Sequence, residues 1–356
     1  HPPAAAGAGP PRDRDGFLLA VPPYAFRFPR DHAAHPSYRT EWWYYTGHLR
    51  GAGRSFGYEV TFFRAGLPRP AARRASAWAA GDVIFLHLAL TDETRGRFRY
   101  VEKAERAALG LAGADSASYR VWLGADSAGL APDGVTHRLR AATDAFALDL
   151  ALAPLTPPVV HGAGGVSQKT GGVGNASHYY SLPRLATRGG VRAGADSLAV
   201  TGLSWMDHEF GSMPATHVLA GWDWFSVQLD DGHALMLYRL RHRDGTVEPL
   251  SSGTFVLPDG RARPLRLADF DVRARGAWTS PHTGGRYPSG WTLAVPGQAL
   301  TLTLAPTLRD QELIARTMGG IAYWEGSVRV RGTLAGRPVR GVGYVELTGY
   351  AGASPF

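Results

Sequence analysis

Apolar and polar residues alternate at period two along most of this chain, and turns containing glycine, proline or aspartate interrupt the alternation at short intervals. Successive side chains of a strand face opposite sides, so the pattern predicts strands rather than helices. Val83–Leu90 is a continuous apolar run ending at Thr91-Asp92-Glu93, which predicts a strand buried on both faces. Arg97–Val101 and Ala145–Leu152 alternate, the latter with Phe146, Leu148, Leu150 and Leu152 on one face. Further strands are expected over His178–Pro183, Thr254–Leu257, Arg263–Leu267, Ala277–Trp278, Trp291–Val295, Ala299–Leu304, Ser327–Gly332 and Gly343–Thr348. Asp-Gly pairs at 231–232, 244–245 and 259–260 mark hairpin turns. The best helical candidate, Leu308–Met318, has a weak signal. The predicted class is therefore all-β with little helix. Antiparallel strands in this number close into barrels or sandwiches, because open edges are sticky.

Two stretches read as copies of one strand-turn-strand unit. Trp43 stands eight positions before Gly51 and is followed by the strand Phe56–Arg64; Trp224 stands eight positions before Gly232 and is followed by Ala234–Arg241. Such self-similarity predicts a duplicated β-domain. The expected organisation is a flexible, proline-rich arm over 1–35, an N-terminal domain over 36–190 and a C-terminal domain over 191–356. Gly189–Gly194 marks the boundary between the domains. Residues 154–175, rich in Pro and Gly, are expected to form a long loop, either a lid or a connector.

Composition narrows the function. The chain has 356 residues, 44% of them apolar, with ten Trp. That is enough to bury two cores, and the aromatics suit pockets for apolar or planar ligands. The net charge of +8 comes almost wholly from scattered Arg, since only Lys103 and Lys169 are lysines. Without a basic run or stripe, nucleic acid is not an expected partner. The absence of Cys removes disulfides, thiolate metal sites and a Cys nucleophile. No apolar run approaches the length of a membrane span. The chain starts at His1 without Met, as a processed secretory protein does, so a secreted or periplasmic location is expected. A His1 terminus also offers a copper-chelating amine and ring.

Candidate chemistry concentrates in Trp205-Met-Asp-His-Glu-Phe-Gly211. In a strand, Asp207 and Glu209 share a face with Trp205, while His208 points with Met206 and Phe210. Two carboxyls beside an aromatic wall can separate in pKa and leave one protonated near neutrality, as a general acid requires. A structural ion-pair network is the competing reading. Trp222-Asp-Trp-Phe225 places Asp223 between two indoles, as a second acid or as a strand cap. In Glu41-Trp-Trp-Tyr-Tyr-Thr-Gly-His48, one face (Glu41, Trp43, Tyr45) and the other (Trp42, Tyr44, Thr46, His48) divide between core and cavity. His87, His178, Glu59 and Glu325 lie on strands beside aromatics and are expected to be structural, His178 less clearly so. The chain lacks a Walker loop, His-Glu-x-x-His and a dinucleotide fingerprint.

Together Glu41–Leu49, Ser177–Arg184, Ser204–Gly211, Gly221–Gly232, Tyr323–Gly326 and Gly343–Tyr350 resemble the carotenoid 1,2-hydratase (hydroxyneurosporene synthase) and AttH-like family of lipocalin-like proteins. The resemblance implies two lipocalin-like β-barrel domains in tandem with a ligand cavity near their junction. Asp207 and His208 match the central Asp-His-x-Trp-Gly motif of the family's hydratases, and Phe210 stands where those carry Trp. The implied function is a cofactor-free, metal-free hydratase that protonates an isoprenoid or carotenoid-like C=C bond and captures the cation with water. Asp207 is the expected acid, His208 its orienting partner, and Glu209 and Asp223 tuning groups. Trp43, Tyr45, His178, Tyr180, Trp205, Trp222, Trp224 and Tyr323 are the expected substrate wall. The partner is an apolar small molecule, compatible with peripheral proximity to a membrane. A non-catalytic lipid or pigment carrier, or a hydrolase or cyclase on the same scaffold, are the alternatives.

Overall fold

The computed structural model describes residues 10–68, 80–212 and 218–352. Two large antiparallel sheets dominate, and the only helices among the described residues are short 3-10 turns. The first sheet contains β1 (Thr40–Gly51), β2 (Arg54–Gly66), β3 (Asp82–Asp92), β4 (Arg97–Arg106), β5 (Ala112–Ala114), β6 (Arg120–Leu123) and β7 (Asp126–Leu130). It continues with β8 (His137–Ala142), β9 (Phe146–Pro154), β10 (Val159–Val160), β11 (Ser167–Gln168), β12 (Ala176–Ala193) and β13 (Asp196–Gly211). The second contains β14 (Leu219–Leu229), β15 (Ala234–His242), β16 (Ser252–Val256), β17 (Ala262–Arg266) and β18 (Asp271–Ala274). After a small separate hairpin, β19 (Ala277–Thr279) with β20 (Arg286–Pro288), it resumes with β21 (Trp291–Val295), β22 (Leu300–Pro306), β23 (Glu312–Ala315), β24 (Ile321–Leu334) and β25 (Arg337–Thr348).

Strand order exposes the duplication. The first sheet runs β4-β3-β2-β1-β13-β12-β9-β8-β7-β6-β5 and the second β17-β16-β15-β14-β25-β24-β22-β21-β18, so in each the opening strand pairs with the closing one. In the first, β5 and β6 come back against β3 and β4, nearly closing a barrel. Each sheet curls around its own apolar core. Trp43, Tyr45, Leu49, Phe62, Leu86 and Leu150 belong to one; Phe225, Trp291, Leu302, Trp324 and Val345 belong to the other. A third apolar layer, with Tyr44, Trp205, Trp224, Met236 and Tyr238, lies where the barrels meet. The strands at this seam therefore bury both faces, one in a barrel and one against its neighbour.

The structure departs from the sequence reading in four places. The boundary expected at Gly189–Gly194 falls inside a hairpin, with Val191 opposite Leu198 in the β12–β13 pair, so residues through Gly211 belong to the first sheet. Leu308–Met318 is not helical; it contains β23, paired with β24. The arm expected to be flexible is packed from residue 10 onward, burying Phe17, Ala20 and Asp31 through His35, and Trp43 donates its indole N–H to the His32 carbonyl at 2.9 Å. Residues 1–9, including His1, lie outside the described residues. Finally, Trp43 and Trp224 are not equivalent in facing: Trp43 enters the first barrel while Trp224 faces the seam. Gly51 ends its strand, whereas Gly232 sits in a loop beyond the last residue of β14, Leu229. Aligning the two glycines shifts the repeat by an odd number of residues, which exchanges faces.

Gly57 on β2 marks how close the barrels come: a Cβ built there would lie 2.6 Å from Ser327 Cβ and 2.8 Å from the Tyr344 hydroxyl. Gly57→Val is expected to lower stability by about 1–3 kcal/mol. The check is a shift of the denaturant midpoint; an unmoved midpoint would mean that the seam yields without cost.

Candidate active site

Register places the candidate side chains before any contact is considered. Ser181, Asp207, Tyr44, Thr61 and His87 are direct partners across β12, β13, β1, β2 and β3, hence one row on one face. On the opposing sheet Tyr238, Trp224, Glu346 and Glu325 form the corresponding row across β15, β14, β25 and β24. The two rows face each other across the seam. Tyr44 donates to the Glu325 carboxyl at 2.7 Å, Trp224 donates its indole N–H to the Tyr179 hydroxyl at 3.1 Å, and His87 and Tyr323 are 2.5 Å apart. With strands about 4.8 Å apart, Asp207 and His87 are separated by three spacings, or roughly 14 Å.

Between the rows lies a cavity of about 1470 Å³ of free space, part of it open to solvent. Its walls include Trp42, Tyr44, Phe63, Phe85, His87, Trp222, Trp224, Tyr238, Leu240, Ile321 and Tyr323, and its polar members include Lys169, Asp207, Glu209, Glu325 and Glu346. Lys169, Thr170 and Asn175 come from the long loop over 154–175, which caps one end of the slot. That loop also ties the barrels together: His161 bonds Thr254 of the second sheet at 2.8 Å and Ser181 of the first at 2.7 Å.

Asp207 sits at this capped end. Its carboxylate accepts from the Tyr179 hydroxyl at 2.6 Å, the Ser181 hydroxyl at 2.5 Å and the Trp205 indole at 2.6 Å. Burial nonetheless dominates the three donors, with the neighbouring Glu209 adding to it, and pushes the Asp207 carboxyl up to about 7. Glu209 is paired with Lys169 at 2.8 Å and accepts from Ser177. The Lys169 ammonium lies 4.4 Å from the Tyr238 ring centroid and 4.9 Å from that of Tyr179, a cation–π box that helps to offset its burial. Across the slot, burial raises Glu346 to about 7 against a hydrogen bond from the Trp222 indole, and burial raises Glu325 well above the usual carboxylate range, with Glu346 and Glu59 adding to it.

Half of the expected wall lies elsewhere. Trp222, Trp224 and Tyr323 line the cavity, and Trp205 braces Asp207 from behind. Trp43, Tyr45 and Tyr180 point into the first barrel: Tyr45 bonds Tyr119 at 2.6 Å and Tyr180 bonds His32 at 2.7 Å. His178 stacks on Tyr24 and bonds the Tyr38 hydroxyl. His208 also turns inward, to the Glu41 carboxylate at 2.9 Å, so it does not orient Asp207. Asp223 faces the interior of the second barrel, bonded to Arg241 at 3.0 Å and Tyr350 at 2.9 Å, rather than the space between its flanking indoles. The cause is the same throughout: alternation sends neighbours to opposite faces, and the seam takes only one. The reading of the sequence did not pick out Lys169, Tyr179 or Glu346. An acid alternating with Tyr344 and Thr348 on an otherwise apolar strand was the available signal for Glu346.

His35, Glu41 and His208 bring three ligand-type atoms within 4.8 Å of one another, all buried. Both imidazoles already bond the same Glu41 oxygen, at 2.9 Å each, and Arg64 holds the other. A metal there would displace two hydrogen bonds and meet the guanidinium charge. The cluster reads as the clasp that fastens the N-terminal arm to the barrel.

Two outcomes are expected. Lys169→Met leaves Glu209 as a buried, unpaired anion and should cost about 3 kcal/mol in chemical denaturation, most of it recovered by adding Glu209→Gln. Asp207 keeps its proton to about pH 7 when folded but only to about pH 4 when unfolded. The folded state binds the extra proton between those limits, so this group makes stability fall as pH rises from about 4 to 7. In Asp207→Asn that fall should be smaller by roughly 3 kcal/mol, read from denaturant titrations at each pH.

The sequence profile described as AttH-like matches residues 19–350. Kievitone hydratase of Fusarium solani subsp. phaseoli is 25% identical over 175 residues, covering 48% of this chain and 49% of that protein. The match thus spans about half the length of that curated relative. Among solved structures, one from Nitrosomonas europaea assigned to AttH is similar at a TM-score of 0.84 with 33% identity, over 94% of this chain and 100% of the other. Kievitone hydratase from Nectria haematococca is similar in fold at a TM-score of 0.70 with 15% identity, over 96% of each chain. With the fold in hand and nearly the whole length matched, the chain belongs to the AttH-like family.

Proposed function

We propose that this protein is a hydratase, a hydro-lyase that adds water across a C=C bond of an apolar, isoprenoid-like substrate lying in the slot between the barrels. One observation carries the reading: a carboxyl poised near neutrality, Asp207, is built into an aromatic-walled cavity and is hydrogen-bonded by Tyr179, a residue of the same wall. The similarity to kievitone hydratase supports the same reaction class. Phe210, which departs from the family's hydratase motif, is stacked on His35 at 3.6 Å on the far side of the sheet. That replacement leaves the cavity wall untouched.

The steps follow from the hydrogen bonds. Protonated Asp207 passes its proton to the Tyr179 oxygen as the Tyr179 hydroxyl proton goes to the alkene carbon, leaving Tyr179 donating to the Asp207 carboxylate, the arrangement observed. Protonation gives a carbocation, more stable the more substituted the carbon. Trp222, Trp224 and Tyr44 present π-faces and edges around the slot, each favourable face worth roughly 0.5–2 kcal/mol to a cation. Water adds to the cation and loses a proton, forming the C–O bond; the enzyme regains its starting protonation by proton exchange. An apolar cavity keeps other nucleophiles away and strengthens each charge interaction.

A carrier without chemistry is the second reading, favoured by the near-complete burial of Asp207 beneath three donors. The deciding experiment incubates the purified protein with kievitone, geraniol and neurosporene and follows gain of one water by mass spectrometry. Turnover that falls by about 100-fold or more in Asp207→Asn, with ligand binding by tryptophan fluorescence retained, is the expected result. Tight binding of all three with no water gained by the wild type would leave the carrier reading standing alone.

A further inference from the structure

We infer that Glu346 is the base of this hydration, taking the proton from the water that adds to the substrate on the wall opposite Asp207. The inference rests on the hydratase reading above and assigns its second proton-transfer group.

Glu346 is the cavity carboxyl that an incoming molecule can touch. Its side chain is half-buried, and its open side is the slot, whereas Asp207, Glu209 and Glu325 are at most 6% exposed. Its Oε2 accepts from the Trp222 indole at 2.8 Å, which fixes the carboxylate against the wall. Its Oε1 accepts no hydrogen bond from the described residues and is left for a water. A base must lie within hydrogen-bond reach of the proton that it removes, and an oriented carboxylate with one free oxygen meets that condition.

The groups around it set its behaviour. From β24, Glu325 sits directly opposite in register. Its burial, with Glu346 and Glu59 adding to it, outweighs the hydrogen bond from Tyr44 and raises it well above the usual carboxylate range, so it does not compete. Glu59 on β2 is likewise raised by burial. From β13, Asp207 and Glu209 disfavour charge on Glu346, and Lys169 partly neutralises Glu209. Tyr44 on β1 and Tyr323 on β24 stay protonated. Among these, Asp207 and Glu346 are the two held at about 7, so near neutrality they share about one proton as a pair. That is the stoichiometry the cycle needs. Asp207 starts protonated and Glu346 ionised. The alkene gains a proton from the Asp207 side by way of Tyr179, water forms the C–O bond, and the proton lost by that water goes to Glu346. Return of the proton from Glu346 to Asp207 through solvent closes the cycle.

The test uses the full chain with whichever of kievitone, geraniol or neurosporene the wild type hydrates. Glu346→Gln should lower kcat by about 100-fold or more with little change in KM. It should also remove the acidic limb of the pH–rate profile, which reports loss of the base, whereas Asp207→Asn removes the alkaline limb. Glu346→Ala should regain part of its rate with added formate or azide, a rescue that lost packing would not allow. Infrared difference spectra should show a protonated-carboxyl band that titrates near pH 7 and is lost in Glu346→Gln. Wild-type turnover with an unchanged rate and acidic limb in Glu346→Gln would overturn the base role alone. A properly folded Glu346→Ala that no small base rescues would do the same. A wild type that hydrates none of the probes would overturn the hydratase reading, and this role with it.

Discussion

The docking of two curled sheets, outer face against outer face, is the constraint on which everything else depends. Strands at that contact lose water on both sides, so every side chain there must be apolar, paired, or held in its neutral form. One side of β1, β13, β14 and β25 fills a barrel core, and the other meets its counterpart across the seam. The cavity is what remains where the two surfaces diverge. Its aromatic lining and its carboxyls with raised pKa are both products of that burial.

Electrostatics then sorts the acids by depth and company. Where donors are reinforced by a close cation, the carboxylate survives burial: Glu41 accepts from His208 and His35, has Arg64 beside it, and stays well below the usual carboxylate range. Asp207 has three neutral donors but no directly bonded cation, and desolvation wins. Glu325, opposite another carboxyl in register, is raised by burial well above the usual carboxylate range. One sheet thus holds a permanently charged clasp on one face and a titratable acid on the other, a single residue apart at His208 and Asp207. Pleating alone separates a structural cluster from a chemical one.

Much of this was readable in the letters, and the part that was not has a definite cause. The alternation in Ala145–Leu152 and Leu300–Leu304 fixed strands, and the split of Asp207 from His208 followed from period two. The side of each strand that would meet the seam was not encoded locally, because both sides are apolar there. Trp43 and Tyr45 looked as good a wall as Trp42 and Tyr44, and Tyr180 as good as Tyr179. The β12–β13 hairpin hid the true division of the chain because glycines at 189–194 sit within it and near its turn instead of in a linker. Lys169 could not be placed from sequence, since its loop reaches the slot only after β10 and β11 dock on β12.

The His161 bridge and the cap carried by its loop have a further consequence. Because Thr254 belongs to one barrel and Ser181 to the other, any guest that spans the slot touches walls whose mutual distance is set by this bridge together with the other cross-bonds and the apolar layer of the seam. Occupancy and barrel association are then thermodynamically linked: whatever holds the halves at the right spacing tightens the grip on the guest, and the guest in turn braces the halves. Neither half, taken by itself, owns a complete cavity.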